Sequence, residues 1–282
     1  MDLNSVTRIV GHGGESFPVV DAGSGPAVLL LHGFPDSRFL WRHQIPALSE
    51  AGYRVIAPDL RGFGDAPRPT HLHAYRRPFL VADILGLLDH FGLDRVHLVG
   101  HDWGASLSWR IAGSYPDRVD RLVVLSVGAP ASPGWETIAQ REKSWYFDFF
   151  CKPGIAEATL EANDWALFRE WSRGQGDLER YIRDLARPGA LTAGLNWYRA
   201  AFMPLEPGEP RPPALPEWNQ VKSSTLGVWG EDDPFLLEPQ IELSAPFVAA
   251  PWRYERMSAA GHWLMLDQPD ALNRLLLEFL RG

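Results

Sequence analysis

The stretch that most constrains this chain is Val96-His97-Leu98-Val99-Gly100-His101-Asp102-Trp103-Gly104-Ala105. An apolar run ends at Gly100, one carboxylate follows at Asp102, and glycine returns at Gly104. A strand that turns sharply into a helix needs small residues two positions either side of the vertex, because the two backbones approach closely there and the vertex residue is strained. The vertex side chain is then presented at the end of the strand as a nucleophile. Serine is the familiar residue at such a vertex; here it is aspartate.

That difference narrows the chemistry. A carboxylate attacking an ester or amide would give an anhydride, whereas attack on a saturated carbon gives an ordinary alkyl ester. The fitting substrates carry an electrophilic sp3 carbon, such as an epoxide or an alkyl halide. A plainer reading is that Asp102 only caps the helix that follows, which aspartate does well. The motif alone does not separate the two.

The surrounding pattern is strand, helix, strand. Apolar stretches at 27–31, 53–57, 95–99 and 121–126 read as strands, and helices are expected at 40–50, 77–91 and 103–114. Two short stretches at 7–10 and 16–21, separated by Gly11, Gly13 and Gly14, read as a hairpin. Gly23-Ser24-Gly25 precedes a strand instead of opening a helix, so it is not a dinucleotide loop. Such alternation implies a mostly parallel sheet covered on both faces. It stops at residue 129. Helical signals then run to about residue 220, at 137–150, 163–171, 178–185 and 190–203, before strands resume at 225–229 and 252–257 and a last helix runs from 269 to 280. The expected division is a core of residues 1–128 and 221–282 and a helical lid of 129–220. That lid holds Trp135, Trp145, Trp165, Trp171, Trp197 and Trp218, half of the chain's 12 tryptophans, expected to form its core and one wall of an apolar pocket.

Bulk properties exclude other classes. With 282 residues, a chain can bury roughly three quarters of its unfolded surface. The net charge of −8, from 35 acidic and 27 basic residues without a long run of either sign, argues against nucleic acid or a polybasic membrane contact. Cys151 is the single cysteine, which leaves no internal disulfide or cysteine metal cluster. Residues 1–10 lack a basic start and an apolar core, and no apolar run approaches the roughly eighteen residues of a spanning helix. The chain reads as soluble and cytoplasmic, with its oligomeric state open.

The order Asp102, a late carboxylate, then His262 in Gly261-His262-Trp263, together with the His32-Gly33 loop, resembles the α/β-hydrolase fold over essentially the whole chain. His32-Gly33-Phe34-Pro35 and Gly100-His101-Asp102-Trp103-Gly104 resemble its epoxide hydrolase branch. The resemblance implies that Asp102 opens an apolar epoxide to give a covalent ester, and that His262, supported by an acid, activates water to release a vicinal diol. Asp233, three residues after Gly230, matches the acid position; Asp232 stays open as the alternative. The implied oxyanion donors are the backbone N–H groups of Phe34 and Trp103. Two lid tyrosines, Tyr146 in Trp145-Tyr146-Phe147 and Tyr198 in Trp197-Tyr198-Arg199, match the pair that holds the epoxide oxygen. A ring-opened epoxide is a strongly basic alkoxide, and neutral tyrosine is a suitable acid for it. Pro35, Trp197 and Trp263 are the expected pocket residues. No metal or organic cofactor is implied, and the partners are the epoxide and water.

Two rivals remain at this point. A haloalkane dehalogenase would use the same nucleophile without the tyrosines, and a ligand-binding protein would keep the pocket without turnover. No arginine follows Asp102 and Ser106 stands where a second would be, so the carboxylate clamp of fluoroacetate dehalogenases is missing. His71 and His73 read as surface loop, Cys151 as lid packing, His101 as support for the turn and His32 as support for the Phe34 loop.

Overall fold

The computed structural model describes residues 6–10 and 14–282. Eight strands form one sheet: β1 (Thr7–Val10), β2 (Ser16–Ala22), β3 (Ala27–Leu31), β4 (Arg54–Pro58), β5 (Val96–His101), β6 (Val119–Leu125), β7 (Ser224–Gly230) and β8 (Trp252–Met257), in the spatial order β1-β2-β4-β3-β5-β6-β7-β8. β1 pairs antiparallel with β2, and β2 antiparallel with β4; every pairing from β4 through β8 is parallel. The first pair is the expected hairpin, although Gly11 and Gly13 of its turn lie outside the described residues. The central strands β3 and β5 are buried along their whole length. Their near-continuous apolar character is what a parallel strand covered on both faces requires.

The covering helices are α1 (Gln44–Glu50), α2 (Arg77–His90), α3 (Trp103–Ser114), the one-turn α9 (Pro239–Glu242) and α10 (Leu264–Asp267), and α11 (Pro269–Arg281). In α2, Leu80, Ile84, Leu87 and Leu88 turn inward as their spacing predicts, and in α11 the fully buried line is Leu272, Leu276 and Leu280. The helix expected over 40–50 divides instead into a 3-10 turn at Arg38–Trp41 and α1.

Between β6 and β7 come five helices, α4 (Ile138–Lys143), α5 (Trp145–Phe150), α6 (Ile155–Ser172), α7 (Leu178–Leu185) and α8 (Ala190–Phe202), and no strand. The single helix expected over 137–150 is broken at Ser144, whose hydroxyl accepts from the Gln140 amide at 2.6 Å. The helix expected over 163–171 begins earlier, at Ile155, and is interrupted where Asn163, Asp164 and Trp165 take left-handed backbone angles. Asparagine and aspartate tolerate that region; tryptophan does not, so tertiary packing holds Trp165 there. Among the described residues no helix is long and apolar enough to cross a membrane.

Candidate active site

Parallel strands point the same way, so the loops after β3, β5, β7 and β8 leave one edge of the sheet together. Those loops carry Phe34, Asp102, Asp233 and His262. At the turn after β5, Asp102 has φ 52° and ψ −120°, outside the regions open to an ordinary side chain. Its flanking glycines are required by contact: a Cβ on Gly100 would overlap the Gly104 carbonyl, and one on Gly104 would overlap the Leu31 carbonyl. α3 can therefore lie directly against β3 and β5, with Asp102 at its start.

Asp102 Oδ1 accepts the Phe34 backbone N–H at 2.8 Å, and Oδ2 faces His262 Nε2 at 3.6 Å. Burial opposes the charge on Asp102, but His262 and the Trp103 backbone N–H outweigh it and hold the carboxyl below its usual value. The other imidazole nitrogen, His262 Nδ1, meets Asp233 Oδ2 at 2.8 Å, while Asp233 Oδ1 accepts from the Phe235 and Leu236 N–H groups at 2.8 and 3.0 Å. The Asp233 carboxylate has no solvent exposure, whereas Asp232 is exposed, so it is Asp233 that reaches the imidazole. Burial pulls His262 down, yet the two carboxylates overcome it and push its pKa up to about 10. At neutral pH this imidazole is a cation held between two anions.

Two other histidines support the frame. His101 is fully buried, and desolvation lowers its pKa to about 3. Neutral, it bonds through Nε2 to the His262 carbonyl at 3.0 Å, which also accepts the Ser126 hydroxyl at 3.1 Å. His32 accepts the Leu60 N–H at Nε2 (3.0 Å) and lies 2.9 Å from the Gly33 carbonyl at Nδ1, and burial brings it down to about 4. It fixes the loop that carries Phe34.

A cavity of about 610 Å3 opens over Asp102 and is lined by Trp103, Tyr146, Phe147, Tyr198, Phe202 and Trp135 among others. Tyr146 comes from α5 and Tyr198 from α8, with ring centres 6.1 Å apart. Burial, then the Asp102 carboxylate, pushes both hydroxyls well above their usual range, so both are protonated donors. The Tyr198 ring stands edge-on to Trp103 at 5.0 Å and to Phe34 at 5.4 Å.

Three of the expected pocket residues are elsewhere. Trp197 is turned into the core by its indole N–H, which donates to the Arg61 carbonyl at 2.9 Å, and Trp263 is held down by Asp36 Oδ2 at 2.8 Å. Pro35 is buried beside Phe34 and does not line the cavity. Of the six lid tryptophans only Trp135 lines it; Trp218 instead bonds the Trp109 carbonyl of α3 at 3.1 Å. The sequence reading missed Gln175, whose Oε1 accepts the His262 N–H at 3.0 Å, and Asp36, whose carboxyl burial pushes up to about 7. A carboxylate directly after Phe34-Pro35 was the available signal for Asp36; Gln175 left none. His73 lies 3.2 Å from Glu209, and among the described residues no cluster of three or more potential metal ligands forms.

Residues 26–269 match the family model of the α/β-hydrolase fold. The chain is 35% identical to epoxide hydrolase A of Mycobacterium tuberculosis over 98% of this chain and 97% of that protein. It belongs to the epoxide hydrolases. Epoxide hydrolase 4 of Mus musculus is 36% identical to this member of the family, across 95% of this chain and 77% of the relative. Among solved structures, an epoxide hydrolase described from metagenomes of hot environments superposes with a TM-score of 0.85 at 30% identity, covering 99% of both chains. That of epoxide hydrolase A from Mycobacterium thermoresistibile gives 0.79 at 31%, covering 99% of this chain and 98% of the other.

Proposed function

We propose that this epoxide hydrolase works through a covalent ester on Asp102, beneath a lid formed by residues 129–220. The observation that carries the reading is that one cavity brings a strained, ionised carboxylate together with two buried, protonated tyrosines. Asp102 Oδ2 attacks a ring carbon, the ring C–O bond breaks, and the departing oxygen takes a proton from Tyr146 or Tyr198. Water then attacks the Asp102 carboxyl carbon as His262 Nε2 takes its proton. Charge builds on Oδ1, which already faces the Phe34 N–H, with the Trp103 N–H as second donor. Collapse releases the diol, protonated by His262. The proton left on the Asp102 carboxyl returns to His262, so epoxide and water balance the diol and the resting charges are restored.

The charge arrangement gives the steps their order. In the resting site His262 is protonated by the two carboxylates beside it. Esterification removes the Asp102 charge, the His262 pKa falls, its Nε2 proton passes to the tyrosinate left by ring opening, and the imidazole becomes a base only when an ester is present to hydrolyse. The single cysteine fits a cytoplasmic setting.

The test is product analysis with styrene oxide and, separately, 1-bromobutane, using Asp102→Asn as control. Diol that disappears in the variant, with no halide release, supports the mechanism. Halide release without diol would make this a dehalogenase and the tyrosines packing residues.

A further inference from the structure

The parallel pairing of β7 with β8 stops at Gly230 and Met257, and the acid and the base lie beyond those ends, at Asp233 and His262. Two backbone bonds carry the pairing a little further, from the Glu231 N–H to the Met257 carbonyl and from the Asp232 N–H to the Ala260 carbonyl, both at 2.9 Å. The next link comes from the lid. The Gln175 amide donates through Nε2 to the Asp232 carbonyl at 3.2 Å and accepts the His262 N–H at Oε1, 3.0 Å away. A side-chain amide offers a donor and an acceptor, as a peptide unit does. Gln175 therefore bridges the two loops where their own backbones no longer meet.

Local structure puts it there. Gln175 lies between α6 and α7, in a turn where Arg173, Gly174 and Gly176 all take left-handed backbone angles. Asp177, at the end of that turn, lies 3.4 Å from the Arg42 guanidinium of the core. On the receiving side, a Cβ at Gly261 would overlap the Gln175 amide, so the glycine before His262 is what admits it. The bond to His262 completes a set. The His262 carbonyl is held from the core, by His101 and the Ser126 hydroxyl, and its N–H is held from the lid. With both sides of its backbone fixed, the imidazole is aimed between Asp233 Oδ2 and Asp102 Oδ2. A second lid residue, Lys143, donates to the Asp233 carbonyl at 2.8 Å and steadies the acid loop alone.

We propose that Gln175 is a positioning residue for hydrolysis of the Asp102 ester: by bridging the Asp233 and His262 loops, it makes the lid part of the general-base assembly. This assignment rests on the covalent-ester reading. Gln175 lies outside the cavity lining, so it serves the step that uses His262 and leaves ring opening to Asp102 and the tyrosines.

Single-turnover rapid-quench mass spectrometry with styrene oxide reads the two steps separately, as growth and decay of alkylated protein. In Gln175→Ala, water can accept the His262 N–H but does not fix its position. Decay is expected to slow by about 10- to 100-fold, while growth stays within about threefold of the wild type. Gly261→Ala reaches the same bonds from the other side. Its methyl group should push the flexible amide away, slow decay to a similar extent, and add nothing in the Gln175→Ala background; measured alone, it keeps the test open if Gln175→Ala fails to fold. Unchanged decay in these variants, growth and decay slowed together, or losses that add in the double variant would overturn the positioning role while the ester mechanism stands. Diol release with no alkylated protein at any time, in the wild type or in His262→Gln, would overturn the ester reading and this assignment with it.

Discussion

Replacing Asp233 with asparagine should separate the two chemical steps. Asp233 Oδ1 accepts two backbone N–H groups, at 2.8 and 3.0 Å, and Oδ2 lies 2.8 Å from His262 Nδ1. Asparagine is nearly the same size and its single oxygen can keep both backbone donors, which leaves its NH2 facing Nδ1. Two donors cannot share that contact, so the imidazole proton must move to Nε2, the atom that faces Asp102. An imidazole protonated there cannot take a proton from water. A wrong tautomer in a hydrolytic triad costs about 10^4-fold in kcat, which is about 5.5 kcal/mol of barrier at about 1.36 kcal/mol per decade. In the proposed mechanism ring opening needs only the Asp102 carboxylate and the tyrosines, so alkylation should continue. In Asp233→Asn, rapid-quench mass spectrometry with styrene oxide should find one equivalent of protein heavier by the mass of the epoxide, with diol formation stalled. Turnover within tenfold of the wild type, or loss of alkylation together with hydrolysis, would refute this division of labour.

In a His262→Gln background, where the ester should accumulate, Tyr146→Phe and Tyr198→Phe should each slow adduct formation from styrene oxide by about 10^2-fold, and the double variant should stop it; unchanged rates would remove both tyrosines from the chemistry. Gly104→Ala should lower the free energy of unfolding in urea by about 1 to 3 kcal/mol, because its Cβ would overlap the Leu31 carbonyl, a backbone group with nowhere to move; an unchanged midpoint contradicts the close approach of α3 to β3. His262 is raised from 6.5 to about 10 on folding, so the stability it contributes is fully present below pH 6.5 and lost as pH rises through 10. The gap in thermal midpoint between wild type and His262→Gln should narrow across that window, and a gap that widens would mean that the imidazole is not held as a cation.

Much of this site was legible in the chain because its parts are local. The spacing Gly100, Asp102, Gly104 is imposed by one turn, and the all-buried stretches of β3 and β5 need unbroken apolar residues wherever they lie in the sheet. The lid was less legible. The break at Ser144 depends on a side-chain bond from Gln140, and the left-handed run ending at Trp165 runs against local preference. Trp197 and Trp263 looked like pocket residues because they adjoin Tyr198 and His262 in sequence. Neighbours on a helix or loop face different directions, and both indoles found core partners instead.

The sequence by itself determined the alternating fold, the helical insertion, the aspartate at the turn and the chain order of the groups that converge on it, since each is written in spacing or composition within one element or in the order of elements. Only the tertiary structure decided that Asp233 and not Asp232 reaches His262, and that the two tyrosines share a cavity with Asp102. Those facts are distances and directions between side chains from separate elements, and they come into being only when β3, β5, β7 and β8 end at one edge of the sheet and the insertion closes over it.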